Sequence, residues 1–137
     1  MDYYAHKEND RTQTIKEHLT GTAELASGFA VGMMKNIAYE TARIHDIGKY
    51  AAAFQDRLMN NSAEKYEHSS CGAIELGRLA DNSRKKSILP MLQYCVAGHH
   101  TGLPDGGTSK DSPMEPTLNG RLKKGGKLHR KKRLQLL

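Results

Sequence analysis

Apolar residues in this chain recur mostly at intervals of three and four, the spacing that lines one face of an α-helix. From Thr14 to about Met34 the stripe is Ile15, Leu19, Ala23, Ala26, Ala30 and Met33, diluted by Gly21, Gly28 and Gly32. A second predicted helix, Ile37 to about Ile47, carries Ala38, Ala42 and His45 on one side. Gly48 breaks it, and Tyr50 to Met59 reads as a third, with Phe54 and Leu58, before the loop Asn60-Asn61-Ser62. Ser69 to Ala80 is a fourth, opened by a serine cap and carrying Cys71, Ile74 and Leu79. The fifth runs from about Lys85 to Gly98 on Ile88, Leu92, Cys95 and Val96, and admits Pro90 only in a first turn. Residues 1–12 are polar and read as loosely ordered. No stretch alternates as a strand would, and beyond Thr101 the Gly-, Pro-, Ser- and Asp-rich chain loses all periodicity. The pattern predicts an all-α fold of about five helices with a loop-rich C-terminal end.

With 137 residues there is room for one domain, drawn here as 1–120 followed by a tail, 121–137. Continuous apolar runs reach only three or four residues, against the roughly 20 that a membrane span needs. No basic segment followed by an apolar run opens the chain, so a cytoplasmic location is expected. Cys71 and Cys95 are too few for a disulfide framework and are expected as reduced, buried thiols. Charge is divided unevenly. All 15 acidic residues lie at or before Glu115, whereas eight Lys or Arg fall in the 17 residues from Arg121 onward. The net +6 is therefore a +8 tail on a body of −2, and basicity says nothing about what the fold itself binds.

Histidine placement is more telling. Of seven, His18, His45, His68, His99 and His100 fall on or beside predicted helices near their apolar stripes, while His6 and His129 lie in polar termini and look solvent-exposed. A single helical histidine is most simply a boundary imidazole with one hydrogen bond. Five together leave many ring nitrogens needing partners. His45-Asp46 ends a helix just before Gly48, and adjacent side chains on a helix point about 100° apart. A carboxylate has two oxygens and can bridge two cations, whereas an imidazole serves one. His99-His100 ends another helix. Imidazole with carboxylate suits first-row transition ions, and two cysteines 24 residues apart make no zinc finger.

In order, His18, His45-Asp46-Ile47-Gly48-Lys49, His68-Ser69 and Gly98-His99-His100 resemble the HD superfamily of metal-dependent phosphohydrolases. Tyr4-Ala5-His6, Glu17-His18-Leu19, Gly48-Lys49-Tyr50 with Phe54, Glu67-His68-Ser69-Ser70 and Ala97 through Asp105 narrow the resemblance. Together they are similar to the HD nuclease domain of the type I CRISPR-associated nuclease-helicase, over roughly residues 3 to 122. The resemblance implies a compact HD-type helical domain. It assigns His18, His45 and Asp46 to a first metal and His68, His99 and His100 to a second, with Asp46 bridging. It makes Asp46 and Lys49 catalytic, although Lys49 on its own reads equally as a solvated helix lysine. The family's further late aspartate has no counterpart: after Thr117 to Leu122 come Lys123-Lys124-Gly125-Gly126-Lys127, and Asp105 and Asp111 sit elsewhere.

The expected chemistry is phosphodiester hydrolysis, in which two cations about 3.5–4 Å apart activate water and neutralise the leaving oxygen. The expected cofactor is one or two divalent ions among Mn, Ni, Co, Fe and Zn, with Mg admitted. The expected substrate is DNA, single-stranded, cut by a nuclease of antiviral defence, with endonuclease and exonuclease action both left open. Gly120 through Lys127 misses a phosphate loop, because Gly126 stands where lysine is needed and Lys127 where Ser or Thr is needed. A helicase and a CRISPR surveillance complex would therefore be partners supplied by another chain or a missing segment. Two alternatives stay open: an HD hydrolase of nucleotides or cyclic dinucleotides, and a catalytically inactive adaptor. In the tail, Lys123, Lys124, Lys131, Lys132 and Arg133 could grip phosphates without sequence preference, but a solvated end is the simpler reading, and no aromatic residue there offers a stacking platform.

Overall fold

The computed structural model describes residues 2–63, 66–80 and 83–132, with side chains at 2–63, 66–80 and 86–125. Among these residues lie a two-stranded hairpin, six α-helices and a short 3₁₀ turn, in two compact units, Met1–His68 and Ser69–Leu137. The chain is mostly helical, as the periodicity predicts. No described helix is long and apolar enough to cross a membrane.

The first unit opens with β1 (Tyr4–Glu8) and β2 (Arg11–Thr14), paired antiparallel. This corrects the expectation of a loosely ordered start without strands. Only Ala5 of β1 is buried, so no alternation marks the hairpin in the sequence. Its turn uses Asn9 at φ 53°, a conformation asparagine tolerates better than most residues. The register shifts between Tyr4 and His6, leaving Ala5 as the extra residue of a bulge. The Gln55 side chain then acts as a strand partner. It accepts from Tyr4 N at 3.0 Å and donates to Tyr4 O at 2.9 Å and to Lys49 O at 2.8 Å.

Helix α1 (Ile15–Phe29) starts where it does because Thr14 and Glu17 form a capping box. The Thr14 hydroxyl accepts from Glu17 N, and the Glu17 carboxylate accepts from Thr14 N. The Thr14 hydroxyl, which donates to the Glu17 carboxylate at 2.7 Å, and then the Thr14 backbone N–H hold Glu17 below the usual carboxylate range. Ile15, Leu19 and Ala23 are buried, and Ile15 and Leu19 cluster with Ala5, against which Tyr3 and Tyr50 pack. The helix ends at Phe29 rather than near Met34, and α2 (Met34–Ile44) begins three residues before the predicted start. Asp46 then precedes the 3₁₀ turn Ile47–Tyr50, and α3 spans Ala52–Asn60.

In the second unit, α4 (Ser69–Leu79) matches its predicted start and α5 runs Ser83–Gly98. Pro90 stands inside α5 and not in its first turn, contrary to expectation. Beyond it α5 packs along α4: Val96 and Ala97 are buried, and Gln93 donates to Ala73 O at 2.9 Å. The C-terminal end also differs. Residues 102–117 are loop, but α6 covers Leu118–Lys132, across the expected tail boundary at 121. Its glycines permit close packing: a Cβ on Gly125 would meet Ile74 Cδ1 at 2.5 Å. Cys71 is buried as expected, whereas Cys95 is exposed; neither is in a disulfide.

Candidate metal centre

Asp46 leaves helix α2 at its C-terminal end, in a backbone conformation between helix and strand (φ −110°, ψ 20°). This turns its side chain inward, where the residue is only 1% exposed. A buried carboxylate is costly unless positive or hydrogen-bonding groups surround it. Here both oxygens are approached. Oδ2 lies 3.0 Å from His18 Nε2, 3.3 Å from His45 Nε2 and 2.8 Å from Lys49 Nζ, while Oδ1 lies 3.2 Å from His68 Nε2.

Each partner is placed by its own element. His18 lies on α1 between buried Leu19 and the exposed face, with its ring 5.1 Å from that of His45. His45 is the C-cap of α2, and its Nδ1–H donates to Ala42 O at 2.6 Å. That bond settles the proton of a neutral imidazole on Nδ1 and leaves Nε2 with a lone pair. The lone pair faces Asp46 Oδ2, acceptor against acceptor, so either a second proton or a cation must lie between them. A divalent ion satisfies both groups, and the pattern of a ligand imidazole anchored through its other nitrogen is the usual one at metal sites. His18, His45 and Asp46 offer ligand atoms that all lie within 4.8 Å of one another and could hold a metal ion. The donor set fits.

His68 is held against the 3₁₀ turn. A Cβ on Gly48 would come within 2.4 Å of His68 O and 2.9 Å of its Cα, so only glycine lets the two backbones approach. The ring of Phe54 meets that of His68 edge-on at 5.1 Å. Lys49 is not the solvated lysine that it could have been: it is 3% exposed, and its ammonium sits between Asp46, Ala5 O at 3.4 Å and the Phe54 ring at 5.6 Å. Burial, and then the Lys49 charge, hold His18 below the ordinary imidazole value of 6.5. Partial desolvation beside the centre, and then the Lys49 charge, also lower His6, although the residue as a whole is exposed. Both imidazoles are thus biased toward the neutral form that metals bind.

The sequence reading left His6 out of the site, as a solvent-exposed histidine of a polar terminus. β1 carries it to the edge of this centre, exposed, with its ring 4.8 Å from His18 and its Nε2 3.4 Å from Lys49 Nζ. A resemblance carried by Tyr4-Ala5-His6 was the available signal, but nothing in a polar terminus says which way a histidine points.

His99 and His100 belong to the second unit, where α5 ends. Both are exposed, their rings lie 4.0 Å apart, and His99 Nδ1–H donates to Val96 O at 2.6 Å. In the loop that follows, Asp111 accepts from Thr108 at 2.8 Å and Thr117 at 2.5 Å, and the two hydroxyls, Thr117's foremost, hold its carboxyl below the usual range. Asp105 O accepts from Leu118 N at 2.7 Å at the start of α6. Of the basic residues, Lys123 donates to Ser109 O and Asp111 O at 2.7 and 2.5 Å, and Lys124 is exposed. Arg133 and the side chains of Lys131 and Lys132 lie outside the described residues. Compared with known protein families, curated proteins and solved structures, the chain gives no match.

Proposed function

We propose that this protein is a metal-dependent HD-type phosphodiesterase that cuts single-stranded DNA, acting as the nuclease component of a type I CRISPR interference system. The observation that carries the reading is the buried Asp46 carboxylate with imidazole nitrogens on both oxygens: His18 and His45 toward Oδ2, His68 toward Oδ1. That division parallels the one implied by the resemblance, in which Asp46 is shared between two ions. The resemblance adds His99 and His100 as ligands of the second. Divalent transition ions bound there would activate water and neutralise charge on the leaving oxygen.

The chain's own groups prepare this chemistry. The Ala42 carbonyl keeps the His45 proton on Nδ1, so Nε2 is a ready ligand. Lys49 balances the buried charge of Asp46, and the Ala5 carbonyl and Phe54 face keep its ammonium at that place. DNA unwinding is left to a helicase partner. Incubating Mn²⁺- or Ni²⁺-loaded protein with single-stranded oligonucleotides tests the reading: cleavage by the wild type and none by Asp46→Ala is expected, and equal inertness of both would end it. Preference for a small nucleotide over a long oligonucleotide would shift the assignment to the nucleotide-hydrolase alternative. Absence of bound metal after reconstitution would leave the inactive adaptor.

A further inference from the structure

The contact between His6 and Lys49 has one chemical consequence. An ammonium group has only donors, so at the 3.4 Å contact Lys49 Nζ donates and His6 Nε2 accepts. A neutral imidazole that accepts at Nε2 carries its proton on Nδ1. The Ala5 bulge and the Gln55 clamp on Tyr4 hold β1 so that this ring stands edge-on to His18, exposed, beside the Asp46 centre. The other members of the cluster are turned inward on Asp46 and are mostly buried; His6 alone among these imidazoles combines exposure with a fixed tautomer. An N–H donor at the rim of a cation site suits an anionic oxygen arriving from solvent, and hydrogen bonds to charged acceptors are about twice as strong as neutral ones.

We propose that His6 is a substrate-contacting residue whose Nδ1–H donates to a phosphoryl oxygen held at the Asp46 centre. The assignment deepens the phosphodiesterase reading and rests on it for the class of ligand. It does not make His6 a metal ligand or a proton carrier.

Shape-matched variants test it. An Asn side chain places its amide donor near the Nδ1 position, and a Gln side chain near Nε2. Inorganic phosphate binding to the Mn²⁺-loaded protein, followed by ³¹P relaxation, is compared for wild type, His6→Ala, His6→Gln and His6→Asn, with Mn²⁺ affinity measured separately for each. Loss of one hydrogen bond to an anion predicts phosphate affinity about tenfold weaker in His6→Ala and His6→Gln. His6→Asn should stay within about twofold of wild type, and Mn²⁺ affinity should be the same in all four. Wild-type phosphate affinity in His6→Ala, rescue by Gln and not by Asn, or parallel loss of Mn²⁺ and phosphate would each overturn the assignment. A wild type that binds phosphate through His6 but cuts no DNA would end the nuclease reading and leave this one standing. A wild type that binds no Mn²⁺ would end both.

Discussion

His45 and His99 are built alike, one in each unit. Each stands at the C-terminal end of a helix, and each donates Nδ1–H to the carbonyl three residues back at 2.6 Å. The local backbone therefore prepares the same ligand nitrogen twice. In the first unit that nitrogen meets a carboxylate that is 1% exposed, two further imidazoles and a buried lysine. In the second, the ring lies beside His100 on an exposed helix end. Preparing an imidazole is a matter of one turn of helix. What gives His45 a reason to hold a cation is a desolvated negative charge, which only packing can supply.

The largest effects should follow from removing that charge. Asp46→Ala should abolish metal binding in the first unit and strand the Lys49 ammonium, at a cost of about 3–5 kcal/mol for a broken buried pair. Pairing Asp46→Asn with Lys49→Met should recover most of that stability in urea unfolding while metal binding stays lost. If the double variant is as unstable as Asp46→Ala, charge pairing is not what Lys49 contributes.

Ion stoichiometry comes next and bears directly on the two histidine-bearing helix ends. Elemental analysis of the wild type should find two ions per chain. His18→Ala should remove one, and the His99→Ala, His100→Ala double variant the other. A single ion, lost only in His18→Ala, would restrict metal binding to the first unit. Gly48→Ala is a subtler probe, since its methyl group must push the His68 backbone away. It should weaken metal binding by about tenfold or more, a typical penalty for disturbing the support of a ligand, with the imidazoles all intact.

Acid should act on the first unit through His18. Its folded-state value is lowered from 6.5, by burial first and by Lys49 second. Above that value the ring is neutral in both folded and unfolded chains and pH has no leverage. Below it the unfolded chain takes up the proton first, so metal-free stability should fall as pH drops through 6.5 toward the lower folded value. Urea unfolding at pH 7.5 and 5.5 should show the loss, and His18→Gln should flatten it. The smallest expected effect lies in α6: Lys124→Ala should reduce the salt dependence of DNA binding by about one charge, while Lys123, already bound to two carbonyls, serves the fold.

Much of the helical frame was legible because burial imposes a period of 3.6 on the residues that face inward. Ser69 and the stripe from Ile15 to Ala23 sit where they were expected, whereas α2 ends at Ile44, before the break expected at Gly48, which lies inside the 3₁₀ turn. Two segments escaped it. The hairpin buries one residue, Ala5, and is held by the side chain of Gln55, about fifty residues away in sequence. Helix α6 buries Leu118 but otherwise packs through Gly120 and Gly125, and glycine contacts leave only a thin apolar stripe to read.

The sequence alone determined which residues could serve a cation, because imidazole and carboxylate are the groups with the right lone pairs, and His45-Asp46 next to glycine is visible in one dimension. Tertiary structure decided the rest. It buried Lys49 against Asp46, divided the imidazoles between the two carboxylate oxygens and brought His6 in from a polar terminus. Those outcomes depend on distances between segments far apart in the chain and on the removal of water from one charge. Neither is encoded in the spacing of neighbouring residues.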